Sequence, residues 1–105
     1  MDTQVVKDKI IKIEIDDAGK LHIKPKRTKL PLIYRTATEV HWDSERETLY
    51  SPKPRVWSYW KWYKHIVNVA KEDCYCELVL SEETEWVNIP VGLKNRITQA
   101  LYTTS

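Results

Sequence analysis

Residues 57–65 read WSYWKWYKH, and five of these nine residues are Trp or Tyr. The stretch decides the fold, because only one secondary structure lets those rings be buried together. As a strand it fails, since its alternate positions mix Trp with Ser and Lys on both faces. On a helix, side chains step by about 100°. That places Val56, Tyr59, Trp60, Tyr63, Ile66, Val67 and Ala70 on one broad face, with Lys61, Lys64, His65, Asn68 and Lys71 opposite. The spacing predicts an amphipathic helix over residues 56–71, launched by the breaker SPKP at residues 51–54. Trp60 belongs to the predicted core stripe. Trp62 falls at its margin and Trp57 near the polar side of the first turn, so these two rings are expected to contact something else.

Upstream, residues 9–16 (KIIKIEID) set Ile11, Ile13 and Ile15 against Lys12, Glu14 and Asp16, the period of a half-buried strand. Asp17-Ala18-Gly19 then reverses the chain, with Gly19 free to take positive φ. Leu21 and Ile23 continue the alternation until Pro25, which gives a first hairpin. Residues 25–31 are basic and bounded by Pro, hence a loop. Residues 34–39 could form a helical turn, while Val40 and Trp42 look extended. A second hairpin follows if residues 40–43 pair with residues 48–51 across SERE. Downstream, residues 75–81 and 86–89 read as a third hairpin linked by Glu82-Glu83-Thr84. Pro90 opens a last helix with Leu93, Ile97 and Leu101 on its buried edge. The order predicts an α+β domain spanning residues 1–105: an antiparallel sheet of about five to six strands built from hairpins, with the aromatic-rich helix and a C-terminal helix packed on it.

Composition agrees with one core in a chain of 105 residues. Hydrophobic residues make up 42% and only two residues are Gly, which argues against disorder and against a loop-rich disulfide scaffold. With no Phe, five Trp and six Tyr, every buried ring brings a polar atom that needs a partner. No apolar run approaches the roughly 18 residues of a membrane span, and MDTQVVKDKI lacks the apolar stretch of a signal peptide. A cytoplasmic protein without membrane attachment is expected. The net charge is +2, but it is unevenly spread: Lys20, Lys24, Lys26, Arg27, Lys29 and Arg35 occur without an acid between them, whereas Glu72, Asp73, Glu77, Glu82, Glu83 and Glu85 occur without a base. These segments are expected to lie near one another and neutralise.

The phrases DDAGKLHIKP, IYRTATEVHWD, LYSPKPRVWSYWKW and CELVLSEETEWVNIP resemble a group of small uncharacterised bacterial proteins of the mobile, integron gene-cassette type. The resemblance covers nearly the whole chain. It implies an α+β fold and a bacterial cytoplasm, and it supplies no activity and no catalytic residues. In size and context such proteins are similar to toxin-neutralising immunity proteins.

The residues admit four chemistries. Cys74 and Cys76 would share a face on a strand and join His65 in a metal site, but a closed zinc site usually wants four ligands in CxxC-type pairs, so no metal and no cofactor are expected. His41 beside Asp43, or His65 with Cys74, could act as an acid–base or nucleophile pair. Neither has a motif around it, so no catalytic residue is assigned and an enzyme is the lesser reading. Aromatics interleaved with Arg55, Lys61 and Lys64 suggest single-stranded nucleic acid, against which the balanced charge weighs. The preferred reading is a binding module for another protein, a second copy of itself or a small apolar ligand. Its patch comprises Arg55, Trp57, Lys61, Trp62, Lys64 and His65.

Overall fold

The computed structural model describes residues 6–35, 39–53, 55 and 57–103. Six strands and two helices follow one another as β1 (Val6–Ile15), β2 (Leu21–Pro25), β3 (His41–Asp43), β4 (Thr48–Tyr50), α1 (Tyr59–Cys74), β5 (Cys76–Val79), β6 (Glu85–Val87) and α2 (Val91–Thr103). A 3₁₀ turn at Ile33–Arg35 precedes β3. The architecture is α+β, and the strands form one mixed sheet ordered β3-β4-β2-β1-β5, with β6 also on β1. Among the described residues no helix is long and apolar enough to cross a membrane.

The two upstream hairpins form as their patterns predict. β1 and β2 pair antiparallel with Ile13 opposite Ile23, and Gly19 turns the chain at φ 83°. β3 and β4 pair antiparallel with Trp42 opposite Leu49. The third hairpin does not form. β5 and β6 instead run parallel to successive lengths of β1, with Val6 to Lys9 against Cys76 to Val79 and Lys12 to Glu14 against Glu85 to Val87. The link between β5 and β6 offsets the chain without reversing it. Ser81 and Thr84 close it with Thr84 N–H donating to the Ser81 carbonyl and Ser81 N–H donating to the Thr84 hydroxyl.

A bulge at Ile11 falls between the two parallel pairings. Ile10 faces Pro25 and Lys12 faces Lys24, so β1 spends one residue more than β2 and its inward set changes phase. Ile10 and Ile13 are both fully buried, whereas Ile11 and Ile15 are only partly so, which corrects the simple alternation expected for this strand. The β5 pairing ends before the bulge and the β6 pairing begins after it. At the junction the Thr84 hydroxyl donates to the Ile10 carbonyl.

α1 starts later than the pattern predicts. Ser58 is its N-cap, accepting from Lys61 N–H, and Tyr75 ends it in the left-handed conformation at φ 55° with its N–H on the Ala70 carbonyl. Its buried stripe is Trp62, Tyr63, Ile66, Val69 and Ala70, rotated toward Trp62 and away from Trp60 and Val67, which are half-buried. Val56, assigned to the stripe from sequence, and Pro54 of the breaker lie outside the described residues, as do residues 36–38 of the suggested helical turn. α1 packs across β5 and β2 and against α2. Ile97 of α2 is fully buried and Leu93 half-buried, while the side chain of Leu101 lies outside the described residues.

Candidate functional site

Where β4 ends, Ser51 is fully buried with its N–H on the Leu21 carbonyl, and the chain then leaves the sheet through Pro52 and Lys53. Because the helix begins only after Ser58, Trp57 precedes the cap and is not held to a helical face. It folds back over α1. Its ring lies 4.8 Å from that of Trp62, tilted by 51°, and His65 stands edge-on to both at 5.2 and 5.8 Å. Lys61 places its ammonium 4.8 Å from the Trp57 centroid.

These residues border a cleft of about 450 Å³ lined by Glu39, Pro52, Lys53, Arg55, Trp57 and Trp62. Trp62, 6% exposed, forms its floor, and half-buried Trp57 forms a wall. Lys53 and Arg55 are exposed cations of its lining, and Glu39 is its one carboxylate among the described residues. Two contacts fix this corner to the sheet. The Tyr59 hydroxyl donates to the Gly19 carbonyl at 2.8 Å, and the Lys53 stem lies against Gly19.

Of the six patch residues read from sequence, Arg55, Trp57 and Trp62 line this cleft, with Lys61 over Trp57 and His65 behind the indole pair. Lys64 is not brought to it, for its ammonium sits 5.1 Å from the Trp60 ring, which Arg96 of α2 also approaches at 5.1 Å. Trp62, placed by spacing at the margin of the stripe, is therefore core that also lines the cleft. Lys53 and Glu39 were missed, because neither belongs to the aromatic run.

The catalytic and metal pairings fare differently. Cys74 ends α1 and Cys76 begins β5, so they do not share a strand face, and Cys74 is about 13 Å along the helix axis from His65 at 1.5 Å per residue. Among the described residues no three His, Cys, Asp or Glu side chains converge in a manner that could hold a metal. Burial pushes the Cys76 thiol up, against the contrary effect of the Thr28 hydroxyl. His41 is exposed beside Tyr50, and the Asp43 carboxylate is engaged by Glu45 N–H and Arg46 N–H in the β3–β4 turn.

The histidine that does hold a carboxylate and a hydroxyl is one the sequence did not single out. His22 is buried on β2, with Nε2 2.7 Å from Asp16 Oδ2 and Nδ1 2.7 Å from Thr48 Oγ1. Burial raises Asp16, but the His22 ring and the N–H groups of Lys20 and Ala18 outweigh it and hold the carboxyl below its ordinary range. His22 alternates with Leu21 and Ile23 along β2, yet all three are buried. What buries it is Tyr50, stacked at 5.3 Å, a covering that local spacing does not reveal.

The charged segments meet in part. Glu83 pairs with Lys26 at 3.3 Å and with Lys9 at 3.1 Å, while Lys29 turns instead to Glu47 at 2.8 Å.

Comparison with known proteins gives two findings. A family model described as Integron Cassette Protein Hfx_Cass5 matches residues 8–84. A solved structure of Integron Cassette Protein Hfx_Cass5, from the mobile metagenome of North West Arm Sewage Outfall, is 40% identical over 91% of this chain and 96% of that one, with a TM-score of 0.45. No curated protein matches.

Proposed function

The chain belongs to the Hfx_Cass5 family of integron cassette proteins, and from that premise we propose a small cytoplasmic binding module that takes a planar apolar ligand with a negative charge into the Trp57–Trp62 cleft. The observation that carries this reading is the cleft itself. Its volume of about 450 Å³ suits a small molecule. Its floor and wall are indoles, which favour flat apolar groups. Its rim has two cations for one carboxylate, which favours an anionic substituent. A flat docking surface for a protein is less well supported, because Trp62 is sunk below the rim. Single-stranded nucleic acid is less well supported too, because the nearly balanced charge, +2 net, offers no basic stripe for a phosphate backbone.

The test is a fluorescence titration of the tryptophans with naphthalene sulfonate, beside the uncharged naphthalene methanol. Saturable quenching by the sulfonate, weaker for the alcohol and lost in Trp57→Ala and Arg55→Ala, is expected. Quenching that survives Trp57→Ala, or none up to the solubility limit, would refute the assignment.

A further inference from the structure

The two ends of α1 carry complementary surfaces that the fold keeps apart. At its start a shallow hollow of about 260 Å³ opens between α1 and α2, where Trp60, Pro90, Gly92, Leu93 and Arg96 line it. A Cβ on Gly92 would meet nothing within 4 Å, so the space beside it is open. The volume is small for an ordinary ligand pocket and suits a single side chain. The lining has no carboxylate among the described residues, and its charge is positive: Lys64 and Arg96 each stand 5.1 Å from the Trp60 ring. Neither cation has an ion-pair partner among the described residues, whereas the lysines of the sheet and its loops largely find carboxylates.

At the other end, Tyr75 caps the helix at φ 55°, a left-handed conformation that Gly takes more readily, and the residue is 48% exposed. Neither the cap geometry nor the core calls for a tyrosine there. Exposed Glu72 precedes it by one turn and makes no ion pair among the described residues, since Lys7 and Lys71 both turn to Glu77. Lys64, Asn68 and Glu72 are exposed and recur at intervals of four, so they lie along one side of α1. Trp60 and Tyr75 are roughly 22 Å apart along the helix axis, too far to meet within one molecule. Between two molecules they can meet. If a second α1 runs antiparallel to the first about a two-fold axis at Asn68, Lys64 of each copy comes level with Glu72 of the other. Trp60, eight residues before Asn68, then comes level with Tyr75, seven residues after it.

We propose that a second copy of this chain is the partner of this face: a symmetric dimer forms through antiparallel α1 helices, each Tyr75 seating in the hollow beside Trp60 and Leu93 of the other copy, with Lys64 and Glu72 paired across the axis. Each contact occurs twice, as a closed two-fold interface requires. The phenol meets an indole and the Arg96 guanidinium, both favourable neighbours for an aromatic anchor. The interface is separate from the Trp57–Trp62 cleft and does not depend on what that cleft binds.

Two anchors and two exposed ion pairs make a dimer of the weak class, so sedimentation velocity is followed from about 10 µM to about 1 mM protein at low salt. The parent is expected to become dimeric across that range. Tyr75→Gly should remain monomeric throughout with its melting temperature unchanged or raised, because Gly suits the cap. Glu72→Lys and Lys64→Glu should each be monomeric alone, since each sets like charges against one another across the axis. Mixed together they should dimerise, because the mixed pair sets Lys against Glu at both contacts. A parent that stays monomeric, a dimer that survives Tyr75→Gly, or charge variants that associate alone or fail to associate on mixing would overturn the interface. Assemblies larger than two would overturn its two-fold symmetry.

Discussion

Trp57 and Trp62 form one tilted pair, 4.8 Å between centroids, yet they belong to different parts of the molecule. Trp62 is held by the helix and buried. Trp57 lies before the N-cap and is half-buried. Proximity therefore joins a buried helical residue to a half-buried one outside the helix, and both line the cleft.

Substitution should separate them. Trp62→Ala removes a buried indole and is expected to cost about 3 to 5 kcal/mol. Trp57→Ala should cost about 1 kcal/mol, as a half-buried ring does, while abolishing ligand quenching. Trp60→Ala should fall between, because its ring is half-buried between Lys64 and Arg96. Urea unfolding of the three variants measures the order. Equal losses would mean that the indole pair is a single structural unit.

Much of the fold is legible in local spacing. Leu21 and Ile23, or Trp42 and Leu49, sit in strands whose turns are close in sequence, so pattern and pairing coincide. What local spacing hides depends on distant partners. Nothing near Glu82 reveals that the segment after Ser81 keeps its direction, because the strand it pairs with, β1, lies some seventy residues earlier. α1 shows the same limit: several helical faces compete in a run with so many rings, and packing on β5, β2 and α2 settles which face is buried. In the candidate site Arg55, Trp57 and Trp62 were readable because the aromatic run contains or adjoins them. Lys53 and Glu39 reach the cleft only through tertiary folding, and so does the contact of Thr48 with His22.

Thr84 tests the bulge. Its hydroxyl both donates to the Ile10 carbonyl and accepts from Ser81 N–H, in a buried position between the two parallel pairings. Thr84→Val keeps the shape and leaves both groups unpaired, so a loss of about 1 to 3 kcal/mol is expected. Thr84→Ser should retain most of the stability. Thermal unfolding of the two variants supplies the comparison, and a valine variant as stable as the serine one would remove Thr84 from the bulge's support.

Gly19 carries the first hairpin turn at φ 83°. A Cβ there would also stand 3.2 Å from Lys53 Cγ, a contact that the flexible lysine stem relieves by moving. Gly19→Ala is thus expected to cost about 1 kcal/mol, chiefly from the backbone. Adding Lys53→Ala should recover little of it in denaturant titrations. Substantial recovery would place the strain in the side-chain contact.

Asp8 supplies the acid dependence. It is buried on β1 ahead of the bulge, where its carboxylate accepts the N–H groups of Thr28 at 2.7 Å, Arg27 at 3.0 Å and Lys9 at 3.0 Å. Burial alone would raise this carboxyl. The bonds from Thr28 and Arg27, with the Thr28 hydroxyl and Lys9 N–H, outweigh that and hold it below the ordinary carboxylate range. The unfolded chain then binds the proton more readily than the folded one. The stabilisation is complete above the ordinary carboxylate value, about pH 4, and is lost as pH falls through the lower folded value. Asp8→Asn keeps the shape but discards the charge and sets an NH₂ against one of these N–H donors, at an expected cost of about 1 to 3 kcal/mol near neutrality. Because Asp16 is also held low and remains in the variant, acid should still destabilise Asp8→Asn, but less steeply than the parent. Urea midpoints at about pH 7 and about pH 3 therefore converge for the two proteins. A constant gap between them would show that the Asp8 carboxylate does not anchor the loop after β2 through its charge.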